Sequence, residues 1–449
     1  MDTPNARLVD GDRLLSRSRR RNRLPSVLVQ RTSRHVALGL LSRMASGRLT
    51  VIDHVEGETS SHGPTGASSL IKGEDGSEAD IRAVIEVYDP RAWSAVVTEG
   101  SAGLGRGYVE RWWSSPDPVD VVRVLIANLG PVDELRNRLA AMSAPVSDPI
   151  RRMLPRSGRT RNRQDISAHY DLGNAFFSLF LDETLTYSSG IFPSPGVDLA
   201  GASRHKYDSL IESLDLDGGH HLLEIGTGWG GMAIQAAERT GCRVTTTTIS
   251  NEQLTLARDR VRAAGLEDRV EVVSTDWRDL RGQYDRVVSV EMIEAVDWRH
   301  YKRFFATIER CLKPDGKAVL QAICVPDRRY RRTRNTEDFI RRFVFPGGFL
   351  PSIGAIVNAV ATATRMQVLG VTDFSAHYAE TLRRWRGRFE QGRTEVSALG
   401  LDDRFYRLWQ FYLAYCEAGF RERHSSVNHV SLVGRNWRPS LADVPPPVS

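Results

Sequence analysis

The stretch His221-Leu222-Leu223-Glu224-Ile225-Gly226-Thr227-Gly228-Trp229-Gly230-Gly231 decides the fold. It reads as a buried strand that runs through an acidic residue into a glycine-rich turn, after which Met232, Ala233, Ile234, Ala236 and Ala237 open a helix. Glycines let the backbone turn tightly and let a ligand come close. The helix start beyond them offers free N–H groups. A doubly wound α/β sheet holds a nucleotide-like cofactor in this way, at the carboxyl edge of its first strand. No Lys-Ser/Thr pair follows the glycines, which argues against a triphosphate-binding loop. Glu224 ahead of them suits the aminoacyl ammonium of S-adenosylmethionine better than a pyrophosphate.

Working outward, strand and helix patterns alternate from about residue 165. Strands are expected at 221–225, 243–249, 270–273, 285–290 and 317–323, with helices between them at 251–264 and 299–312. Repeated βα units of this spacing imply a mostly parallel sheet. Lys313-Pro314-Asp315-Gly316 reads as a turn before the last of these strands. Residues 328–425 break the alternation with helical, aromatic-rich sequence suited to a lid over the cofactor. A smaller α+β unit is expected over 80–150, with a strand near Ile81–Tyr88 and helices near 93–97 and 121–127. The expected organisation is a basic N-terminal segment and loop (1–79), that small domain (80–150), a basic linker (151–164), a Rossmann-like doubly wound domain (165–430) and a tail (431–449). Within the first segment, 1–25 is expected to be disordered and 56–79 to be a loop or hairpin tip.

Composition bounds the function. Of 449 residues, 41% are hydrophobic and 26% charged, the balance of a soluble globular protein. No apolar run is long enough to span a bilayer, and the arginine-rich start has no hydrophobic core of a secretory signal. Cys242, Cys311, Cys324 and Cys416 are scattered, which implies a reducing compartment and no zinc site. The net charge of +6 is concentrated in Arg17–Arg23 and Arg151–Arg163. Such blocks are either solvated linkers or contacts for phosphate-bearing surfaces. In residues 31–45, Val36, Leu40 and Met44 fall at helical spacing, a pattern that suits an interfacial membrane helix or an ordinary packing helix.

Several motifs in order resemble the cyclopropane fatty acid synthase family of S-adenosylmethionine-dependent lipid methyltransferases, over roughly 80 to the mid-420s. They are His169-Tyr170-Asp171-Leu172-Gly173-Asn174, Leu181-Asp182, Thr186-Tyr187-Ser188, Glu224 to Gly231, Thr248-Ile249-Ser250 with Gln253, and Asp276-Trp277-Arg278-Asp279. Phe345-Pro346-Gly347-Gly348, Leu350-Pro351-Ser352, Tyr412-Leu413 and Cys416-Glu417-Ala418-Gly419-Phe420 follow. The resemblance implies that Tyr187 and Ser188 contact the amino-acid end of the cofactor. By the same resemblance Gly226, Gly228 and Trp229 line its loop, Thr248 and Gln253 reach its ribose, and Asp276 and Trp277 lie by the adenine. The physics agrees for the second strand, whose polar end is where such a sheet reads a ribose. Structural alternatives stand beside these roles: Trp229 as a packing residue, Gln253 as a surface helix residue, Cys416 as core, His169 as a hydrogen-bonding scaffold.

In cyclopropane-forming relatives the base is thought to be a bicarbonate held by a cysteine, a glutamate, a histidine and a tyrosine. The glutamate matches Glu294 and the tyrosine Tyr378. The cysteine position is Ser189 and the histidine position Gln321. Where the family pattern reads Gly-Met-Phe-Glu, this chain has Glu291-Met292-Ile293-Glu294. Two anion ligands are therefore replaced and a carboxylate appears. Glu291 is expected to be the general base, with Glu294 raising its readiness to take a proton. The alternative is a solvent-facing Glu291.

The expected function is methyl transfer from S-adenosylmethionine to the cis double bond of a phospholipid-bound, oleoyl-like acyl chain. A carbocation forms and its deprotonation gives a 10-methylene chain, on the route to tuberculostearic-type lipids. A cyclopropane synthase and a non-catalytic cofactor-binding protein are the rivals. A nucleic-acid methyltransferase is disfavoured because the basic blocks lack interleaved aromatics. The protein itself is expected in the cytoplasm, peripherally associated with the inner face of the membrane, with a separate flavoprotein reductase acting on the product, no nucleic-acid partner and no metal. A homodimer is left open.

Overall fold

Leu222 and Leu223 are consecutive in a strand, point to opposite faces, and are both fully buried. A strand apolar on both faces needs cover on both, the condition of a sheet sandwiched between helical layers. The computed structural model describes residues 27–64, 70–72, 78–130 and 172–439. Both arginine blocks, the 151–164 linker and His169 to Asp171 lie outside these residues. The chain divides into two compact units, 1–180 with 335–347 and 379–425, and 181–334 with 348–378 and 426–449.

The first unit opens with a helix, Val27–Leu41, followed by strands β1 (Arg48–Asp53), β2 (Glu58–His62), β3 (Leu70–Lys72), β4 (Glu78–Asp80), β5 (Arg82–Val87) and β6 (Trp113–Ser114). The order β2-β1-β5-β6 makes a small sheet, and β3 pairs with β4. The helical spacing in 31–45 falls largely on the helix Val27–Leu41, whereas 56–79, expected to be a loop or hairpin tip, carries β2 and β3 and the start of β4. Helices Arg91–Glu99, Ser101–Val109 and Pro118–Ala127 complete the α+β unit, the last capped by Asp117, which accepts the Val119 N–H at 2.9 Å. Residues 335–347 and 379–425, expected within one block from 165 to 430, belong here instead. The cause is aromatic packing: Phe176, Phe177 and Phe180 meet Trp385, Phe389, Phe405 and Trp409, with Phe176 4.7 Å from Trp409 in an edge contact.

The second unit is built on β7 (His221–Ile225), β8 (Arg243–Thr247), β9 (Val270–Val273), β10 (Tyr284–Val290), β11 (Leu312–Cys324), β12 (Gln367–Asp373) and β13 (Ser426–Val433), in the order β12-β13-β11-β10-β7-β8-β9. Strands β7 to β11 are parallel, and β13 runs antiparallel between β11 and β12. The chain leaves β7 toward β8 and β9, then crosses back to β10. The crevice between the carboxyl ends of β7 and β10 is therefore the topological switch point, where such sheets bind ligands. One face packs Leu222, Val244, Val288 and Val319 against the helices Leu199–Ser213, Gly231–Thr240 and Asn251–Ala263. The other packs Leu223, Val287 and Leu320 against Tyr301–Cys311 and Ile353–Ala363.

Three readings change here. Lys313 to Gly316 is not a turn but an irregularity inside β11: Tyr284 pairs with Leu312, and Arg286 pairs with Lys317. It is anchored because Gly316 O accepts the Gly434 N–H and Pro314 O accepts the Asn436 N–H. The helical segment 328–425 also contains strand β12. And β13 continues past residue 430, so the expected tail begins inside the sheet.

Candidate active site

The glycine turn forms as its sequence requires. Gly226, Gly228 and Gly230 have φ of 105°, 51° and 86°, a region where side chains are strained. A Cβ on Gly226 would lie 3.1 Å from Met292 Cγ, whereas one on Gly228 would meet nothing within 4 Å. The turn thus keeps an open face at the carboxyl end of β7, just before the N-terminus of Gly231–Thr240. Trp229 is buried, and its carbonyl accepts from Arg260 Nη1 at 2.7 Å. Glu224 lies beneath the turn, accepting the Thr246 hydroxyl at 2.6 Å, and burial pushes its carboxyl up to about 8. At the end of β8 the Thr248 hydroxyl donates to Gln253 Oε1 at 2.9 Å, so both are buried and paired. After β9, Asp276 caps the short turn Trp277–Asp279 through the Arg278 N–H and binds the Arg278 guanidinium at 2.8 Å. Trp277 packs edge-on against Phe304 at 5.3 Å. These groups sit at the carboxyl ends of three adjacent strands, beside an open glycine cradle. That arrangement fits an adenosyl cofactor with an amino-acid tail.

The segment Thr186-Tyr187-Ser188-Ser189 is fixed from below. The Lys206 ammonium, fully buried on the inner face of Leu199–Ser213, donates to Ser188 Oγ at 2.8 Å. Thr186 shares a hydrogen bond with the Tyr207 hydroxyl at 2.7 Å, and Tyr187 is half-buried. Burial lowers the Lys206 ammonium to about 8, opposed by Glu291, Asp182 and Glu224.

Beyond the end of β10 stands Glu291, with φ of 47°. Its Oε1 accepts the Ser189 N–H at 2.9 Å and Gln321 Nε2 at 2.7 Å, and its Oε2 accepts the Tyr378 hydroxyl at 2.8 Å. Burial raises its pKa, and the three donors and Lys206 oppose that rise. Glu294 Oε1 accepts the Ile323 N–H at 2.6 Å, while its Oε2 is buried with no hydrogen-bond partner. Burial, then the charge of Glu291, raises Glu294 to about 8. The pair is unequally provided for: three donors meet the Glu291 carboxylate, whereas Glu294 Oε2 has none, so Glu294 is the readier of the two to carry a proton. Glu291 is not turned out to solvent.

The structure brings Ser189, Glu291, Glu294, Gln321 and Tyr378 to one place, and sets Glu224, Thr248 and Asp276 at or just beyond the carboxyl ends of β7, β8 and β9. Two members were missed. Lys206 occupies a core-facing position in the pattern Ala202, Ser203, Lys206, Tyr207, Leu210, and a lysine there is a readable signal. His429 bonds Gln321 Oε1 at 3.0 Å. It lies beside Asn428 in a buried strand without clean alternation, so nothing in the sequence marked it. Among the described residues no group of three or more His, Cys, Asp or Glu side chains is placed to hold a metal, and the four cysteines are unpaired.

Comparison with known proteins places these features in context. A family model described as mycolic acid cyclopropane synthetase matches residues 157–430. The chain is 44% identical over 341 residues to the tuberculostearic acid methyltransferase UfaA1 of Mycobacterium tuberculosis, covering 74% of this chain and 79% of that protein. It is 33% identical over 349 residues to a cyclopropane-fatty-acyl-phospholipid synthase of Escherichia coli K12, covering 77% and 85%. The solved structure of mycolic acid cyclopropane synthase CmaA1 with SAH and CTAB aligns with a TM-score of 0.57 and 30% identity, over 60% of this chain and 98% of that one.

Proposed function

The chain belongs to the mycolic acid cyclopropane synthetase family, and from that premise we propose that it methylates the cis double bond of an oleoyl-like phospholipid chain and leaves a 10-methylene group. It is an enzyme, and S-adenosylmethionine is its methyl donor. The relative at 44% identity is named for tuberculostearic acid, and the solved relative holds SAH. The observation that carries the methylene reading is the Glu291 carboxylate seated among the Ser189 N–H, the Gln321 amide and the Tyr378 hydroxyl.

When bound, S-adenosylmethionine supplies an electrophilic methyl. Gly226, Gly228 and the Gly231–Thr240 N-terminus would hold its amino-acid end together with Tyr187 and Ser188. Glu224 and Trp229 would support that turn, Thr248 and Gln253 would hold the ribose, and Asp276 and Trp277 the adenine. The alkene π pair forms the new carbon–carbon bond, the C–S pair returns to sulfur, and the positive charge passes to the acyl chain. A hydride shift moves that charge next to the new methyl. Glu291 takes a proton from this methyl, and the C–H pair becomes the exocyclic double bond. A raised carboxylate pKa suits this step, since the best base has a pKa near the working pH. Tyr378 and Gln321 hold the base, and protonated Glu294 spares it a second negative charge.

The product still carries a double bond, so a flavoprotein reductase is the partner class its conversion to a methyl branch calls for. Work at a phospholipid surface is supported by Val27, Leu28 and Val29, exposed at 67%, 75% and 46% along the start of Val27–Leu41. The test is incubation with methyl-labelled S-adenosylmethionine and dioleoyl phosphatidylglycerol vesicles, followed by mass spectrometry of the acyl chains. A 10-methylene product is expected. A cyclopropane product, or none with the cofactor bound, overturns the reading.

A further inference from the structure

We propose that His429 is a positioning residue that fixes which way the Gln321 amide faces, and through it how readily Glu291 gives up the proton it has taken. The inference rests on Glu291 being the base.

Gln321 and His429 are direct cross-strand partners of β11 and β13. His429 Nε2 lies 3.0 Å from Gln321 Oε1. An amide oxygen only accepts, so Nε2 must carry the hydrogen. The ring is held in place by Phe374, edge-on at 4.6 Å, whose own N–H bonds Val427 O at 3.1 Å. Burial and the nearby Lys206 charge depress His429 to about 3, which keeps it neutral with one donor. With Oε1 engaged, Gln321 Nε2 faces Glu291 Oε1 at 2.7 Å and Ser189 O at 3.4 Å.

Two orientations of that amide are chemically open, and they favour different forms of the base. With NH2 toward Glu291 the amide stabilises the carboxylate. With C=O toward Glu291 it would accept from the protonated carboxyl and stabilise that instead. His429 opposes the second orientation, because accepting from the NH2 group would require the ring to move its hydrogen from Nε2 to Nδ1. After proton transfer, the protonated Glu291 is denied this acceptor, which keeps the proton acidic and resets the base. The other groups facing Glu291 are the Lys206 ammonium, the Tyr378 hydroxyl and the Glu294 carboxyl. The Ser189 carbonyl, 3.4 Å from Gln321 Nε2, favours the same amide orientation as His429.

The experiment measures the pH dependence of kcat for methyl transfer to dioleoyl phosphatidylglycerol vesicles, with cofactor affinity measured alongside. In His429→Leu the acid limb moves up by about one pH unit while the dissociation constant for S-adenosylmethionine stays within twofold. His429→Phe, which keeps an aromatic ring against Phe374 but lacks the donor, moves it likewise. In a Gln321→Leu background, His429→Leu adds no further shift, since the two act as one unit. A uniform loss of rate with the acid limb unmoved overturns the proposal, and so does an equal shift in the Gln321→Leu background. Glu291→Gln, assayed in parallel, separates the two levels. Activity in that variant defeats the base assignment. An inactive Glu291→Gln beside an unmoved His429→Leu profile defeats only the role of His429.

Discussion

A glutamate in the left-handed region pays a conformational penalty that glycine avoids, of about 1–3 kcal/mol. Glu291 sits there at φ 47°, at the position where the resembled family pattern has glycine. That such a residue also collects three hydrogen bonds to its carboxylate points to a role for the side chain itself. Glu291→Gln should abolish product while cofactor binding persists, read by labelled-lipid formation and by calorimetry. Tyr378→Phe removes one donor to the charged form. Hydrogen bonds to charged groups contribute about 1.5–3 kcal/mol, so the acid limb of the rate profile should rise by about one to two units. Glu291, Glu294, Ser189, Gln321 and Tyr378 were legible because motif order placed them. Their hydrogen bonds were not, since partners 30 to 102 residues apart meet only in the fold. His429 was invisible because its role is set by a cross-strand register.

The elements that carry the site were the best written. The apolar run of β7, the glycine turn and the amphipathic helix after it share one continuous signal, and β8 to β10 repeat it. The C-terminal strands were poorly legible. β12 is exposed along most of its length and lacks the apolar run of a central strand, and β13 is embedded after a 19-residue helix, Asp403–Arg421, with no second βα unit around it. The turn reading at Lys313 to Gly316 failed because Pro and Gly mark an irregular strand as readily as a turn. The glycine turn makes the sharpest demand at this scale. Gly226→Ala places a Cβ at φ 105° and 3.1 Å from Met292 Cγ. It should destabilise the fold by about 1–3 kcal/mol and weaken cofactor binding, checked by thermal melting and by titration.

At the scale of the molecule, buried carboxyls set the pH response. Glu224 and Glu294 are both raised to about 8. A folded chain that binds more protons than the unfolded one loses stability as pH rises between the two pKa values. Below about pH 6.5 the depressed His429 opposes this trend, so the melting temperature of the enzyme should fall from about pH 6.5 to pH 8, and Glu294→Gln should flatten that fall. The division into two units was only partly legible, because the aromatic residues of 379–425 signal burial without saying against what. The central claim is also a statement about the whole reaction mixture: the proton leaves the acyl chain for a carboxylate of the polypeptide, and no dissolved anion is needed. The most direct measurement is the rate of methylene-lipid formation by the wild-type enzyme in rigorously bicarbonate-depleted buffer, with and without added bicarbonate. An unchanged rate is expected. A rate that collapses on depletion and returns with bicarbonate would contradict the assignment of Glu291 as the base.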